Sequence, residues 1–384
     1  MSPWGRSDLF PGANTISAIA AAIAATLSFR LMYKHAKYYG VPSEQRHIVR
    51  ILWMIPIYAV DCALSTWKPT WSRYIDPGRD CYEAYVLYCF LLLLEAYAKR
   101  VGGDDWISLF EGKRAHHPFP VNRCFGESAA IDRTFFVAVE RAVLQYMVLK
   151  PALAAVQLVL TACDAYDGGL FDFTRGYAWI VWITNASQTA ALCGLVYLYH
   201  AVTERKELLE RGLLGKFLCI KAVVFFAFWQ ALAFSLLVRV GVITDAGGVS
   251  ADDRSAAIDD FVLCVEMVAI AIAHHRVFSY LEYRAVAAPA AHSLKARRVD
   301  EDAVLAPYRE MSDEALEAAA AEEAEARREK TSKRVALLDS VDVSDVASDI
   351  RRHLLSSRRA ASMEVTTTKT DSDGDDCETA DAGE

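Results

Sequence analysis

The sequence predicts an all-α membrane protein: seven transmembrane helices followed by a tail that is partly helical and then disordered. Three observations carry that expectation. Apolar runs about as long as a bilayer-crossing helix recur seven times between residues 13 and 283. Lys and Arg collect in alternate loops, as the positive-inside rule requires. Beyond residue 284 the composition turns polar and charged. The mean hydropathy of +0.16 averages two unlike parts and understates the apolarity of the first.

Residues 1–12 form a short polar lead, expected outside the membrane. The run 13–33 is rich in small residues, as a signal peptide is. It has no strongly basic stretch before it, and its charges, Lys34 and Lys37, come after it. It therefore reads as a first membrane helix with an outside N-terminus rather than a cleaved signal. Further spans are expected at about 49–67, 80–98, 142–163, 177–200, 217–240 and 259–283.

The loops after the first, third, fifth and seventh spans carry the cations. They hold Lys34, Lys37, Arg46 and Arg50; then Lys99, Arg100, Lys113, Arg114 and Arg123; then Arg205, Lys206 and Arg211; then Arg284, Lys295, Arg297 and Arg298. The intervening loops are acidic and cation-poor, with Asp164, Asp167 and Asp172 in one and Asp245, Asp252 and Asp253 in the other. The loop at 68–79 departs from the pattern, with Lys68, Arg73 and Arg79. Together these place the N-terminus outside and the C-terminus in the cytoplasm. In the tail, 284–384, the Ala/Glu/Arg-rich segment 309–330 has helix-supporting opposite charges four residues apart. A second short helix is expected over 342–355. The acidic Ser/Thr-rich end cannot bury enough apolar surface to order itself.

Ionisable groups inside the spans are the informative residues. A charge in hydrocarbon costs several kcal/mol unless it is paired or faces an aqueous path. Asp61, Glu83, Arg239 and Glu266 are expected in the outer half, and Glu95, Lys150 and Lys221 toward the inner side. Lys221 is expected to pair with Glu95, and Glu266 is expected either to pair with Arg239 or to stay protonated. Asn185 and Gln188 stand three residues apart on one helix face, and Gln230 sits mid-span. Such amides hydrogen-bond between helices or orient a polar substrate head. Tyr82, Tyr85 and Tyr88 recur every third residue, a stripe that suits either packing or an amphipathic ligand. Pro56 and Pro151 interrupt two spans. The candidate substrate path is thus Asp61, Glu83, Tyr85, Asn185, Gln188, Gln230 and Glu266, with Glu95, Lys221 and Arg239 as structural ion-pair formers.

The net charge of −8 owes much to the extreme C-terminus, and nothing points to a nucleic-acid partner. The nine cysteines show no CxxC and no ligand spacing with His, so neither a disulfide framework nor a metal site is expected. No catalytic motif is present, so no enzyme activity and no cofactor are expected.

The stretches RILWMIPIYAVDCALS (50–65), RDCYEAYVLYCFLLLL (79–94), LQYMVLKPALA (144–154), GKFLCIKAVVFFAFWQ (215–230) and DDFVLCVEMVAIAIAHHRVF (259–278) resemble the organic solute transporter alpha / transmembrane protein 184 family. The resemblance covers roughly 45–285 in consistent order. It implies a seven-helix membrane protein, with some members moving bile acids, steroids and other amphipathic organic anions. It also implies a bilayer setting with a small single-span beta-type subunit or a homo-oligomer as partner. Many members carry a dense cysteine cluster for lipidation in the loop after the third span; here only Cys124 remains there as a lipidation candidate. The tail lies outside the resemblance.

A transporter of amphipathic organic solutes is the leading expectation. It would not be driven by ATP, because the chain has no P-loop. It would reside in the plasma membrane or an endosomal or vacuolar membrane. A seven-helix scaffold or receptor acting through its tail is the alternative. The common receptor pattern is missing, since the third span ends EAYAKR and the seventh lacks an Asn-Pro-x-x-Tyr turn.

Overall fold

The computed structural model describes residues 12–68, 71–110, 114–116, 128–166, 173–203, 212–245, 249–284, 286, 335 and 344–352. Eight numbered helices occupy most of them: α1 (Ala13–Lys37), α2 (Pro42–Leu52), α3 (Met54–Trp67), α4 (Ser72–Gly102), α5 (Arg133–Ala162), α6 (Gly176–Thr203), α7 (Leu213–Arg239) and α8 (Ala251–Val277). A 3₁₀ segment, Gly103–Phe110, follows α4. A small antiparallel ribbon pairs β1 (Arg114–His116) with β2 (Ser128–Ala130). Cys124 and the segment 309–330 lie outside the described residues. Residues 341–384 form a separate unit, in which 344–352 are helical and Arg352 pairs with Asp349 at 2.9 Å.

α2 and α3 are two halves of one membrane-length element, parted at Trp53. Pro56 causes the break. It has no N–H to offer the Leu52 carbonyl four residues earlier, and its ring crowds that turn. Two neighbours take up carbonyls at this joint. Ser28 of α1 donates to Leu52 O at 2.8 Å, and Tyr82 of α4 donates to Arg50 O at 2.6 Å. Pro151 was expected to interrupt its span as well, yet α5 runs through it as one continuous helix.

Successive long helices alternate in direction. One end of the bundle carries the start of α1 and the turns α3–α4, α5–α6 and α7–α8. α8 packs on α1, α3 and α7; α4 packs on α2, α3 and α5; and α5 packs on α6. At the opposite end Trp106, Phe110 and Phe136 interlock, with the Trp106 and Phe136 rings 4.7 Å apart edge to face.

The distribution of polarity is inverted relative to a soluble protein. Large apolar side chains face outward, among them Ile16, Ile19, Val159, Trp182, Trp229 and Leu236. Glu44, Arg50, Asp61, Glu83, Lys216 and Asp260 are buried. In water so much outward apolar surface would drive aggregation, whereas in hydrocarbon it needs no partner. Among the described residues, four elements are long and apolar enough to cross a membrane: Ala13–Lys37, Pro42–Trp67, Ser72–Gly102 and Arg133–Ala162. α6, α7 and α8 have 28, 27 and 27 residues. At 1.5 Å per residue each reaches about 40 Å, enough to span a hydrocarbon core of about 30 Å.

One expected boundary moves. The loop anticipated at 68–79 closes down to a few residues, because α4 begins at Ser72. Pro77 and Gly78, residues typical of loops, lie inside the helix. This brings Asp76 and Arg79 into the bundle.

Candidate functional site

The first turns of α4 gather a charged network. Asp76, Arg79, Asp80 and Glu83 follow the i, i+3, i+4, i+7 pattern that places residues on one face of a helix. Tyr58 and Asp61, three apart on α3, face them. Arg79 donates through Nη1 to Asp61 Oδ2 at 2.7 Å and lies 3.6 Å from Asp76 Oδ1 and 3.4 Å from Asp80 Oδ1. Its guanidinium also sits 5.3 Å from the centre of the Tyr58 ring. Lys150 of α5 donates to Asp80 Oδ2 at 2.9 Å. Lys150 was expected toward the inner side, but α5 begins at Arg133, nine residues before the expected span, so Lys150 lies past the middle of the helix and reaches Asp80. Such charge-assisted bonds are the stronger kind and offset part of the cost of burial.

Glu83 is held differently. Tyr58 donates to Oε2 at 2.7 Å and Gln188 of α6 donates to Oε1 at 3.2 Å. These donors are neutral, so they orient the carboxyl without neutralising it. Tyr85 stacks edge to face on Tyr82 at 5.6 Å, and its hydroxyl is buried without a hydrogen-bond partner. Gln145 and Ser187 tie α5 to α6 through Ser187 Oγ to Gln145 Oε1 at 2.9 Å and Gln145 Nε2 to Ser187 O at 3.0 Å. The expected Asn185–Gln188 face is therefore divided. Asn185 is exposed and donates to Val181 O of its own helix, while Ser187 and Gln188 point into the bundle.

Neither the Lys221–Glu95 nor the Glu266–Arg239 pairing forms. Glu266 accepts from Gln230 Nε2, not from Arg239. Arg239 stands nine residues further along α7, about 14 Å by helical rise, exposed at the helix end. Glu95 pairs with Lys99 one turn away at 3.4 Å, not with Lys221. The α7 lysine that enters the bundle is Lys216. Its Nζ donates to Tyr97 OH at 2.8 Å, lies 4.7 Å from the centre of that ring and 3.9 Å from Glu282. Nearby, Arg100 binds the fully buried Glu44 at 3.1 Å, and His35 and Gln45 join the same level through Gln45 Nε2 to His35 O at 3.1 Å.

Of the residues singled out from the sequence, Asp61, Glu83 and Gln188 lie in this network and Gln230 and Glu266 bond to each other, while Asp76, Arg79, Asp80 and Tyr58 join as partners that were not singled out. The missed signal was the helical spacing of 76, 79, 80 and 83, masked by Pro77–Gly78.

An inverted bundle with charged groups sealed between long helices defines an integral membrane protein. The model of the family described as organic solute transporter Ostalpha matches residues 13–283, and the chain belongs to that family. A transmembrane protein 184 homolog from Dictyostelium discoideum is 35% identical over 255 residues, which cover 66% of this chain and 49% of the relative. The chain thus spans about half the length of that curated relative. No solved structure matches.

Proposed function

We propose that this chain carries amphipathic organic solutes, steroid- or bile-acid-like anions among them, across a membrane without ATP. Membership of the organic solute transporter alpha family is the observation that carries the reading. On this reading all seven long helical elements cross the bilayer, with the N-terminus outside and the C-terminus in the cytoplasm. The residues offered for the solute path are Glu83, Tyr85 and Gln188, and beyond them Gln230 and Glu266. Their geometry supports the role: carboxyls held by neutral donors and a free tyrosine hydroxyl can trade partners with a polar substrate head at little cost. Asp61 belongs to this level through Arg79, a cation suited to an anionic head group. The partner is a small single-span subunit or a second copy, and the setting is the plasma membrane or an endosomal or vacuolar membrane.

The test is uptake of a labelled steroid sulfate into liposomes holding the purified chain, alone and with a single-span partner. Wild type is compared with Glu83→Gln and Glu266→Gln, which keep shape and remove charge. Saturable uptake that falls in the variants supports the reading. If well-folded protein takes up no sterol or bile-acid-like solute under either condition, the transport reading is overturned.

A further inference from the structure

The seam between α1 and α8 carries two features that the proposed solute path does not use. Along its exposed side runs an apolar groove of about 470 Å³, lined by Ile16, Ile19 and Ile23 of α1 and Val265, Val268 and Ile272 of α8. At one end of the same seam stands a cluster of cations and tyrosines. The two features are continuous. Ile16, Ile23, Arg30, Lys34 and Lys37 follow helical spacing along one stripe of α1, and Val265, Val268, Ile272 and Arg276 do the same on α8.

The tyrosines hold the cations in place. The Tyr38 and Tyr280 rings stack nearly parallel, with centres 5.7 Å apart. Lys34 of α1 reaches across to lie 4.7 Å from the centre of the Tyr280 ring. Arg284, beyond α8, reaches back to 5.5 Å from the centre of Tyr38. Two histidines pin the seam: His275 donates to Leu27 O at 2.9 Å, and His35 donates to Phe278 O at 3.0 Å. Long cationic side chains lose rotamer entropy when a ligand fixes them, and packing on the rings removes part of that cost beforehand.

These cations have no counter-charge. The acids at this end are committed elsewhere: Glu44 to Arg100 at 3.1 Å, Glu95 to Lys99 at 3.4 Å and Glu282 to Lys216 at 3.9 Å. Among the described residues Arg30, Lys34, Arg276 and Arg284 form no ion pair. A basic, aromatic end joined to an apolar trough is complementary to an anionic amphipath of the bilayer itself.

We propose that this seam binds an anionic phospholipid, with its phosphate head against Lys34, Arg276 and Arg284 and one acyl chain directed into the apolar groove. The site does not rest on the transport reading. It takes the proposed orientation only for the leaflet: the cations then face the cytoplasm, on the side where anionic lipids collect. The dimensions select a phospholipid. Ile23 stands eleven residues from Lys34, about 16 Å by helical rise, close to half of a hydrocarbon core of about 30 Å. A chain anchored at the cations therefore ends in the groove. Arg30, one turn deeper than Lys34, reaches the head by snorkelling. Because Lys34 and Arg284 belong to opposite sides of the seam, a bound head ties α1 to the end of α8 and stabilises the folded bundle.

The probe is dioleoyl phosphatidylserine, with dioleoyl phosphatidylcholine as the comparison that has the same chains and no net charge. Native mass spectrometry of the full chain, released from micelles holding equal amounts of both, counts the lipids retained. One phosphatidylserine per chain is expected, with a several-fold preference over phosphatidylcholine. The preference should collapse in the double variant Lys34→Gln with Arg284→Gln, and fall in part in Arg30→Gln with Arg276→Gln, whose side chains are exposed. Ile23→Trp, which fills the groove and leaves the cations, should lower retention of phosphatidylserine. Added phosphatidylserine should raise the thermal midpoint of wild type and not that of the first double variant. Equal retention of the two lipids, or a preference that survives both double variants, overturns the proposal. So does displacement of the phospholipid by an equal concentration of steroid sulfate, which makes the seam a solute site. A dimer that Ile23→Trp dissociates gives the groove to a second copy and overturns it as well.

Discussion

Ser28 shows at the scale of one residue how this membrane protein handles a helix break. It is 3% exposed, and its hydroxyl makes the bond to Leu52 O that Pro56 cannot make. In hydrocarbon no water can substitute. Ser28→Ala should therefore leave a buried acceptor unmet, at a cost of about 1–3 kcal/mol. The readout is the thermal midpoint of the purified protein in detergent. In a Pro56→Ala background the helix supplies its own N–H and the Ser28→Ala penalty should shrink. A penalty of equal size in both backgrounds would show that Ser28 acts through packing alone. The proline was legible in the sequence, but its rescuer was not, because Ser28 and Leu52 lie 24 residues apart on different helices. Asp61 was legible for the opposite reason: an acid in an apolar run is conspicuous, whereas Arg79 beside Pro77 and Gly78 looked like loop.

At the scale of an element, α4 carries the argument. Its apolar stretch, its cationic end at Lys99 and Arg100, and its approximate centre were readable from composition. Its start was not, because Pro77 lies well past the first turn, where proline ordinarily marks a boundary. The early start aligns Asp76, Arg79, Asp80 and Glu83 against α3, α5 and α6. Arg79→Met should cost about 3–5 kcal/mol, since it strands Asp61 beside other acids. The Asp80–Lys150 tie is partly exposed, so it should be worth less. A double-mutant cycle with Asp80→Ala and Lys150→Ala should give a coupling on the order of 1 kcal/mol. Denaturation in detergent measures both. A coupling near zero would mean that α4 and α5 are held by apolar contact alone.

At the scale of the whole molecule, the number and order of long helices were readable because each apolar run is separately visible in the chain. Which helices touch was not, since outward and inward faces are both apolar and periodicity then says little about neighbours. Orientation relative to the membrane rests on the cation-rich loops and is open to a direct test with two native cysteines. Cys163 is exposed at the turn after α5, while Cys377 lies in the acidic tail sequence. Between them lie α6, α7 and α8, so three crossings place the two thiols on opposite sides of the bilayer. With the N-terminus outside, a membrane-impermeant maleimide applied to sealed right-side-out vesicles should modify Cys163, and Cys377 only after permeabilisation. Peptide mass spectrometry reads both thiols in the unaltered protein. The reverse pattern would invert the bundle and put the Arg79 network with Asp61, Asp76 and Asp80 at the cytoplasmic face. Labelling of both thiols from one side would mean that an odd number of α6, α7 and α8 fails to cross. α8 would then be the first suspect: it carries Asp252, Asp253, Asp259, Asp260 and Glu266, and its place in the bilayer depends on those acids being paired, protonated or open to water.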